Sequence, residues 1–195
     1  KPETPIAGYQ VRVPMLDVTT LGAGGGSIAW IDSGGGLRVG PQSAGADPGP
    51  LVYRRGGPLT VTDANVIAGR IDPRRFLGGE FPLDMERART ALSRIARHFD
   101  ISPEEAALGV IRMVDANMMT ALKLVSLRRG YDPRDFAMIA MGGSGPVHAA
   151  ALARELGLGV GLAFNPGTPV EAAAAAAEEV DLVLCTSVHA CLSGQ

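Results

Sequence analysis

Cysteine, aromatic side chains and charge are all scarce in this chain of 195 residues. Its two cysteines are Cys185 and Cys191, and their spacing from each other and from His189 matches no common zinc motif. We therefore expect no metal site there and free thiols in a reducing compartment. The net charge is −2, and the 18 Lys and Arg residues are scattered. This balance gives no electrostatic reason to expect nucleic acid or an anionic membrane as a partner.

Long apolar segments are also missing. No apolar run approaches the ~20 residues that a membrane-spanning helix needs. The first ten residues, KPETPIAGYQ, lack the apolar stretch of a signal peptide. The sequence therefore predicts a cytoplasmic protein. The chain begins at Lys1 rather than at a methionine and stops at Gln195 just after a β-like run, so we interpret both ends as cuts in a longer protein.

Glycine, in contrast, is abundant, and half of the 26 glycines lie in residues 1–60. Short apolar runs separate them, a pattern typical of strands joined by tight turns. The predicted strands are Tyr9–Val13, Ser27–Ile31 and Leu37–Val39. A short helix is expected to follow, with Asp63 as its N-cap and Ala68 near its end.

Two amphipathic helices are predicted in the middle of the chain. Apolar residues at helical spacing indicate the first helix over Leu83–Phe99. The second, Pro103–Arg128, begins with a capping box formed by Ser102 and Glu105. Both apolar faces are large, so we expect the helices to pack as a pair against the glycine-rich sheet.

The last third alternates between strands and helices. Phe136–Met141 is predicted to be a buried strand, and Pro146–Leu156 an alanine-rich helix that ends at Gly157. A strand, a helix and a strand should follow over Val160–Phe164, Val170–Glu179 and Val180–Cys185. Such alternation is typical of an α/β layer structure.

Three glycine-rich loops are the candidates for ligand binding. The first contains Gly24, Gly25, Gly26 and Ser27, the second spans residues 39–50, and the third contains Gly142, Gly143 and Gly145. Bare backbone N–H groups suit an anion, especially at the N-terminus of a helix. Each loop taken alone is equally consistent with a structural turn, and His148 with a packed histidine.

Taken together, these segments resemble a known family. The chain contains GAGGGSIAWID, LRVGPQSAGADPGP, YRRGG, LTVTDAN, GYDPRDF and MGGSGPVHAAALARELG, in that order. The order and spacing resemble those of the hydantoinase/5-oxoprolinase A subunits, which include N-methylhydantoinase A and acetone carboxylase subunits. The resemblance covers residues 1 to about 157.

The resemblance implies part of an actin-like ATPase domain with a ribonuclease H-like fold. It implies ATP and a divalent cation as cofactors, used to open a small cyclic amide such as 5-oxoproline or a hydantoin. By this resemblance, the turn at Gly142, Gly143 and Gly145 would pack on the adenosine. Gly24, Gly25, Gly26 and Ser27 would face the central cleft, with Asp63 and Asn65 near the substrate. The implied partners are the remaining N-terminal portion of the same subunit and a B-type subunit.

Two departures from the family pattern affect activity. The family has a glycine where this chain has Arg54, which puts the backbone of that turn in question. The family's two Asp-x-Gly-Gly-Thr phosphate loops lie upstream of Lys1. No catalytic residue can therefore be assigned, and we expect a fragment of the A subunit that is inactive alone.

Residues 158–195 resemble a different protein, ribulose-phosphate 3-epimerase. Its strand–helix–strand unit ends in a glycine-rich loop, whereas here residues 190–195 read ACLSGQ, and the metal ligands have no counterparts. We therefore divide the chain into 1–157 and an epimerase-like tail, 158–195. Two alternatives stay open: a non-catalytic α/β module that binds a nucleotide or a subunit, and an epimerase-like fragment.

Overall fold

The computed structural model describes residues 4–6, 9–11, 18–140, 142–164 and 181–185. Its strands are β1 (Thr4–Ile6), β2 (Tyr9–Val11), β3 (Ser27–Ile31), β4 (Leu37–Ser43), β5 (Gly161–Phe164) and β6 (Leu182–Cys185). Its α-helices are α1 (Val61–Ile67), α2 (Met85–Phe99), α3 (Pro103–Leu127) and α4 (Gly145–Leu156). Short 3₁₀ helices lie at Leu51–Tyr53, Phe76–Gly79 and Pro133–Asp135. The described residues thus have the mixed helix and strand content that the sequence predicts.

β3 and β4 form an antiparallel hairpin whose turn is organised by one carboxylate. Asp32 accepts hydrogen bonds from the backbone N–H of Gly34 at 3.0 Å and of Gly36 at 2.8 Å. The side chain of Arg38 adds a third bond at 2.6 Å, and such local acceptance is how Asp favours turns. β4 continues four residues past the predicted end at Val39, so part of the segment predicted as a loop is strand.

Helix α1 begins earlier than predicted, because its N-cap is Thr60 and not Asp63. Asp63 is the third helical residue, and its carboxylate accepts hydrogen bonds from the Thr60 backbone N–H at 2.6 Å and the Thr60 hydroxyl at 2.8 Å. An acidic residue at this position satisfies donors before the helix rather than inside it. Every residue of α1 is buried.

The predicted helical pair is confirmed. Ser102 and Glu105 form the expected capping box at the start of α3, with Pro103 in the first turn. α3 packs against α1, α2 and β4, so it is the centre of the fold. Fully buried side chains at this centre include Leu92, Val110, Ile111 and Val114. Across the described residues, no helix has both the length and the apolar character needed to cross a membrane.

The predicted buried strand at Phe136–Met141 is wrong for the part that the structure describes. Phe136 follows the 3₁₀ helix that starts at Pro133, and residues 137–140 have no regular structure. Phe136 and Ile139 are 54% and 80% exposed. Apolar composition favours a strand only where a neighbouring strand accepts its hydrogen bonds, and no described strand pairs with this segment. Met141 lies outside the described residues.

The last helix and the last two strands agree with the prediction. α4 ends at Gly157, whose φ of 70° gives the left-handed cap that glycine favours. β5 and β6 pair in parallel, from Gly161 opposite Leu182 to Phe164 opposite Cys185. Parallel neighbours need a crossover connection. The helix predicted within it, Val170–Glu179, lies outside the described residues.

Candidate functional site

The first glycine loop leads into β3 and is tied down by its carbonyl groups. The carbonyl oxygen of Gly25 accepts hydrogen bonds from the Thr62 backbone N–H at 2.8 Å and the Thr62 hydroxyl at 2.9 Å. The Ser27 hydroxyl accepts a bond from the Gly24 N–H at 2.9 Å, so it faces its own loop. The loop is therefore held against the start of α1, and its conformation is set before any ligand binds.

The third glycine loop, which contains Gly142, Gly143 and Gly145, forms the turn immediately before α4. Gly142 has φ 85°, a left-handed conformation that a residue with a side chain adopts only at a cost. Gly142, Gly143 and Gly145 are exposed, and a Cβ placed on any of them would meet no atom within 4 Å. Among the described residues, no protein acceptor takes their backbone N–H groups. Bare backbone with free donors at a helix N-terminus is suited to a polar ligand.

The two glycine motifs meet in space. A Cβ built on Gly25 would lie 3.0 Å from the Ser144 hydroxyl oxygen and 2.8 Å from that of Thr62. A side chain at position 25 would force Thr62 and Ser144 to shift, so glycine there allows the turn before α4 to approach the loop. The structure therefore brings together two of the three predicted glycine loops, with the start of α1 between them.

Asp63 connects the start of α1 to the short 3₁₀ helix Leu51–Tyr53. Its carboxylate accepts hydrogen bonds from the N–H groups of Leu51 at 3.2 Å and Val52 at 2.7 Å, besides those from Thr60. Burial raises the pKa of Asp63, and these hydrogen bonds partly offset the rise by favouring the charged form. The side chain has no exposed surface, so Asp63 acts on the site through the chain around it.

Asn65 belongs to a buried polar cluster that sequence reasoning had only partly identified. Its amide nitrogen lies 3.1 Å from the Val61 carbonyl oxygen and 3.4 Å from Nε2 of His148. His148 Nδ1 lies 2.6 Å from a carboxylate oxygen of Asp115. Asp115 was missed, yet it occurs four residues after Ile111 and four before Met119, on the apolar face of α3. A carboxylate in that pattern was the available signal.

A groove of ≈ 480 Å³ also runs between α3 and α4. It combines positive, negative and apolar side chains, and its lining consists of Arg112, Asp115, Ala116, Met119, Thr120, Lys123, Ala151, Leu152 and Glu155. The glycines of the turn before α4 are not part of this lining. Asp115 is common to the groove and to the buried polar cluster.

A family model described as hydantoinase/oxoprolinase matches residues 1–178. The chain belongs to the hydantoinase/oxoprolinase family. This confirms the resemblance that the glycine motifs suggested. The matched residues continue past Gly157, and the division of the chain at that point, like the likeness of its tail to an epimerase, stays a prediction.

The curated relatives of this chain include subunits of differently named enzymes. The α subunit of the caprolactamase from Pseudomonas jessenii is 50% identical over 151 residues, which are 76% of this chain and 22% of that protein. The γ subunit of the acetophenone carboxylase from Aromatoleum aromaticum is 46% identical over 147 residues, 74% of this chain and 20% of that protein. The chain thus spans about a fifth of the length of these relatives.

A solved structure supports the same assignment. The crystal structure of the ATP-dependent caprolactamase from Pseudomonas jessenii matches with a TM-score of 0.70 and 47% identity. The match covers 81% of this chain and 23% of that one. At this identity the likeness extends beyond the fold to the family.

Proposed function

We propose that this chain contributes the adenosine-facing part of the ATP site in a cytoplasmic, ATP-dependent enzyme that opens small cyclic amides. The observation that carries the proposal is the contact between Gly25 and Ser144, which joins two glycine motifs around one site. Membership of the hydantoinase/oxoprolinase family and the likeness to an ATP-dependent caprolactamase support ATP and a cyclic amide. An actin-like arrangement, with the nucleotide between two α/β lobes, is part of the proposal.

The turn before α4 fits the nucleoside end of ATP. Gly142, Gly143 and Gly145 leave open space where side chains would stand, so a flat base or a ribose can approach the backbone closely. The loop formed by Gly24, Gly25, Gly26 and Ser27 would close the opposite side. When bound, ATP supplies the phosphoryl group that activates the amide oxygen, while these residues bind and orient the nucleoside.

The divalent cation of the proposed reaction does not fit the described residues. They contain no group of three His, Cys, Asp or Glu side chains placed to hold a metal ion. We therefore assign the cation and the phosphates to other parts of the enzyme. These are the rest of the same subunit and a B-type subunit, and the naming of the relatives as α and γ subunits supports such an assembly.

The proposed proximity of Asp63 and Asn65 to the substrate is indirect. Both side chains are buried, at 0% and 1% exposure. Their part in the proposal is to support the loop and the turn from below. No described residue is assigned as catalytic.

Adenosine and ATP titrations followed by NMR test the proposal. We expect both ligands to shift the amide signals of Gly142, Gly143 and Gly145, with similar affinities because the phosphates stay in water. Gly143→Ala adds a methyl group where the free protein has room, so binding should weaken about tenfold, or ~1.4 kcal/mol, without loss of stability.

The matched control is Gly109→Ala in α3, where a Cβ would make an ordinary contact of 3.7 Å with Leu37. This variant should bind adenosine like the unmodified chain. Adenosine that shifts none of the turn amides, or that binds Gly143→Ala equally well, contradicts the proposed function.

A further inference from the structure

A buried polar cluster connects α1, α3 and α4 directly behind the candidate site. It consists of Asn65 on α1, Asp115 on α3 and His148 on α4. His148 has no exposed surface, and 17% of the Asp115 side chain is exposed. Burying polar groups is unfavourable unless they are paired, so these three residues constrain how the helices can be arranged.

The chemistry of each group decides which atom donates and which accepts in the cluster. A carboxylate oxygen only accepts, so His148 Nδ1–H donates to Asp115 over 2.6 Å. Nε2 faces the amide nitrogen of Asn65 at 3.4 Å, and because an amide nitrogen only donates, Nε2 is the acceptor in this contact. The same amide nitrogen donates to the Val61 carbonyl oxygen at 3.1 Å. The side-chain oxygen of Asn65 has no partner among the described residues.

The position of His148 couples this cluster to the glycine turn. Residues four apart lie on the same face of a helix, so His148 stands one turn above Ser144. Ser144 in turn lies against Gly25. Leu152 is buried in the core, and its apolar contacts resist separation of α4 from α3. Such contacts depend little on the relative orientation of the two helices. The charge-assisted bond to Asp115 fixes both distance and orientation.

We infer that His148, held by Asp115 and Asn65, is a positioning residue that sets the turn Gly142–Gly145 against the glycine loop. Its effect on ligand binding rests on the proposed nucleotide site, whereas its effect on the geometry of the turn does not. Without its partners, α4 keeps its apolar contacts, but its N-terminal turn loses the restraint that places it beside Gly25.

The test combines three changes in the cluster with one outside it. His148→Leu removes both hydrogen bonds, and Asp115→Leu removes the acceptor alone. Asp115→Asn retains a side-chain oxygen that can accept from Nδ1–H. Leu152→Ala is the matched control, because it weakens the same helix interface without touching the polar cluster.

NMR on the full chain supplies the measurements. In the unmodified chain the imidazole nitrogen shifts of His148 should show the Nδ1–H tautomer. His148→Leu and Asp115→Leu should shift the amide signals of Gly25 and Gly143 and weaken adenosine binding about tenfold. Asp115→Asn should restore both, while Leu152→Ala should lower the melting temperature and leave both unchanged.

Opposite results overturn the inference. If Leu152→Ala shifts the Gly25 and Gly143 signals as much as Asp115→Leu does, the cluster contributes only stability. The same conclusion follows if Asp115→Asn fails to restore the signals. Should His148→Leu not fold, the two Asp115 variants and the control decide the matter. A chain that never binds adenosine contradicts the proposed function, while the amide shifts still test His148.

Discussion

At the level of single residues, the backbone of Arg54 lies in the left-handed region, with φ 63° and ψ 18°. A residue with a side chain pays ~1–2 kcal/mol for this conformation, and related proteins were expected to have glycine here. Arg54→Gly should therefore raise the free energy of unfolding by about 0.5–1 kcal/mol, after the larger entropy of unfolded glycine is subtracted. Thermal and denaturant unfolding measure this gain.

Arg54→Ala is the matched control for that substitution. It removes the same long side chain but keeps a Cβ atom, so the backbone conformation stays unfavourable. We expect no gain in stability from alanine. Equal stabilisation by glycine and alanine would show that the arginine side chain, rather than its backbone, is the unfavourable element.

The buried carboxylate of Asp63 provides a second prediction at this scale. Asp63→Asn keeps the size of the side chain but replaces an acceptor oxygen with an NH₂ group facing backbone donors. Since Asp63 accepts from Leu51, Val52 and Thr60, the loss should be about 2–4 kcal/mol in the free energy of unfolding. Asp135→Asn, at an exposed position, is the control and should change it by less than ~0.5 kcal/mol.

The same substitution should alter how stability depends on pH. Burial raises the pKa of Asp63 above its ordinary value of 3.8, so the folded protein binds this proton more tightly than the unfolded chain does. The stability that comes from this tighter proton binding is complete below the pKa that Asp63 has in the unfolded chain. It is lost as the pH rises through the pKa that Asp63 has in the folded protein. The stability difference between the unmodified chain and Asp63→Asn should therefore shrink as pH rises. A difference that grows with pH would contradict the raised pKa.

At the level of elements, the buried face of α3 organises the packing. Ile111 is fully buried in the core, whereas Leu124 on the same helix is 46% exposed. Ile111→Ala should lower the free energy of unfolding by about 2–5 kcal/mol, because it removes packed atoms and leaves a cavity. Leu124→Ala should cost less than ~1 kcal/mol. Denaturant unfolding of both variants tests this, and similar losses would contradict the assignment of the buried face.

The position of a helix end depends on nearby residues, whereas the formation of a strand pair depends on a distant segment. The start of α3 was predicted because Ser102, Pro103 and Glu105 satisfy the free N–H groups of their own first turn. The end of α4 was predicted because Gly157 supplies the left-handed cap. The error at Phe136–Met141 has the opposite origin, since a strand depends on a partner that its own residues do not specify.

At the level of the whole molecule, we expect the proposed site to need further groups for phosphoryl transfer. That reaction requires groups that neutralise charge around the terminal phosphate and a metal ion that bridges the phosphates. The described residues provide no metal cluster. We therefore predict weak ATP binding, little improvement with magnesium, and no phosphate release or ring opening by the chain alone.

Calorimetric titration of ATP with and without magnesium, together with a phosphate-release assay, measures these expectations. A known ATPase assayed in parallel shows that the conditions support turnover. Micromolar, magnesium-dependent binding with steady phosphate release would mean that this chain contains a complete site.

Much of the architecture followed from short-range patterns in the amino-acid sequence. Apolar residues at helical spacing and capping residues located α2, α3 and α4, because a helix makes its hydrogen bonds within one segment. Closely spaced glycines identified Gly24–Gly26 and Gly142–Gly145 as loops, because glycine readily adopts the turn conformations that other residues avoid. The order of these motifs was also sufficient to indicate the family.

The arrangement of the site depended on contacts between distant segments. Nothing near Gly25 in the sequence indicates that Ser144 lies against it, and the pairing of His148 with Asp115 joins separate helices. The bonds of Asp63 to Thr60 are local, but its further bonds to the backbone N–H groups of Leu51 and Val52 come from a segment about eleven residues earlier. These interactions form only when α1, α3 and α4 pack together, because burial of their apolar faces decides which polar groups must find partners.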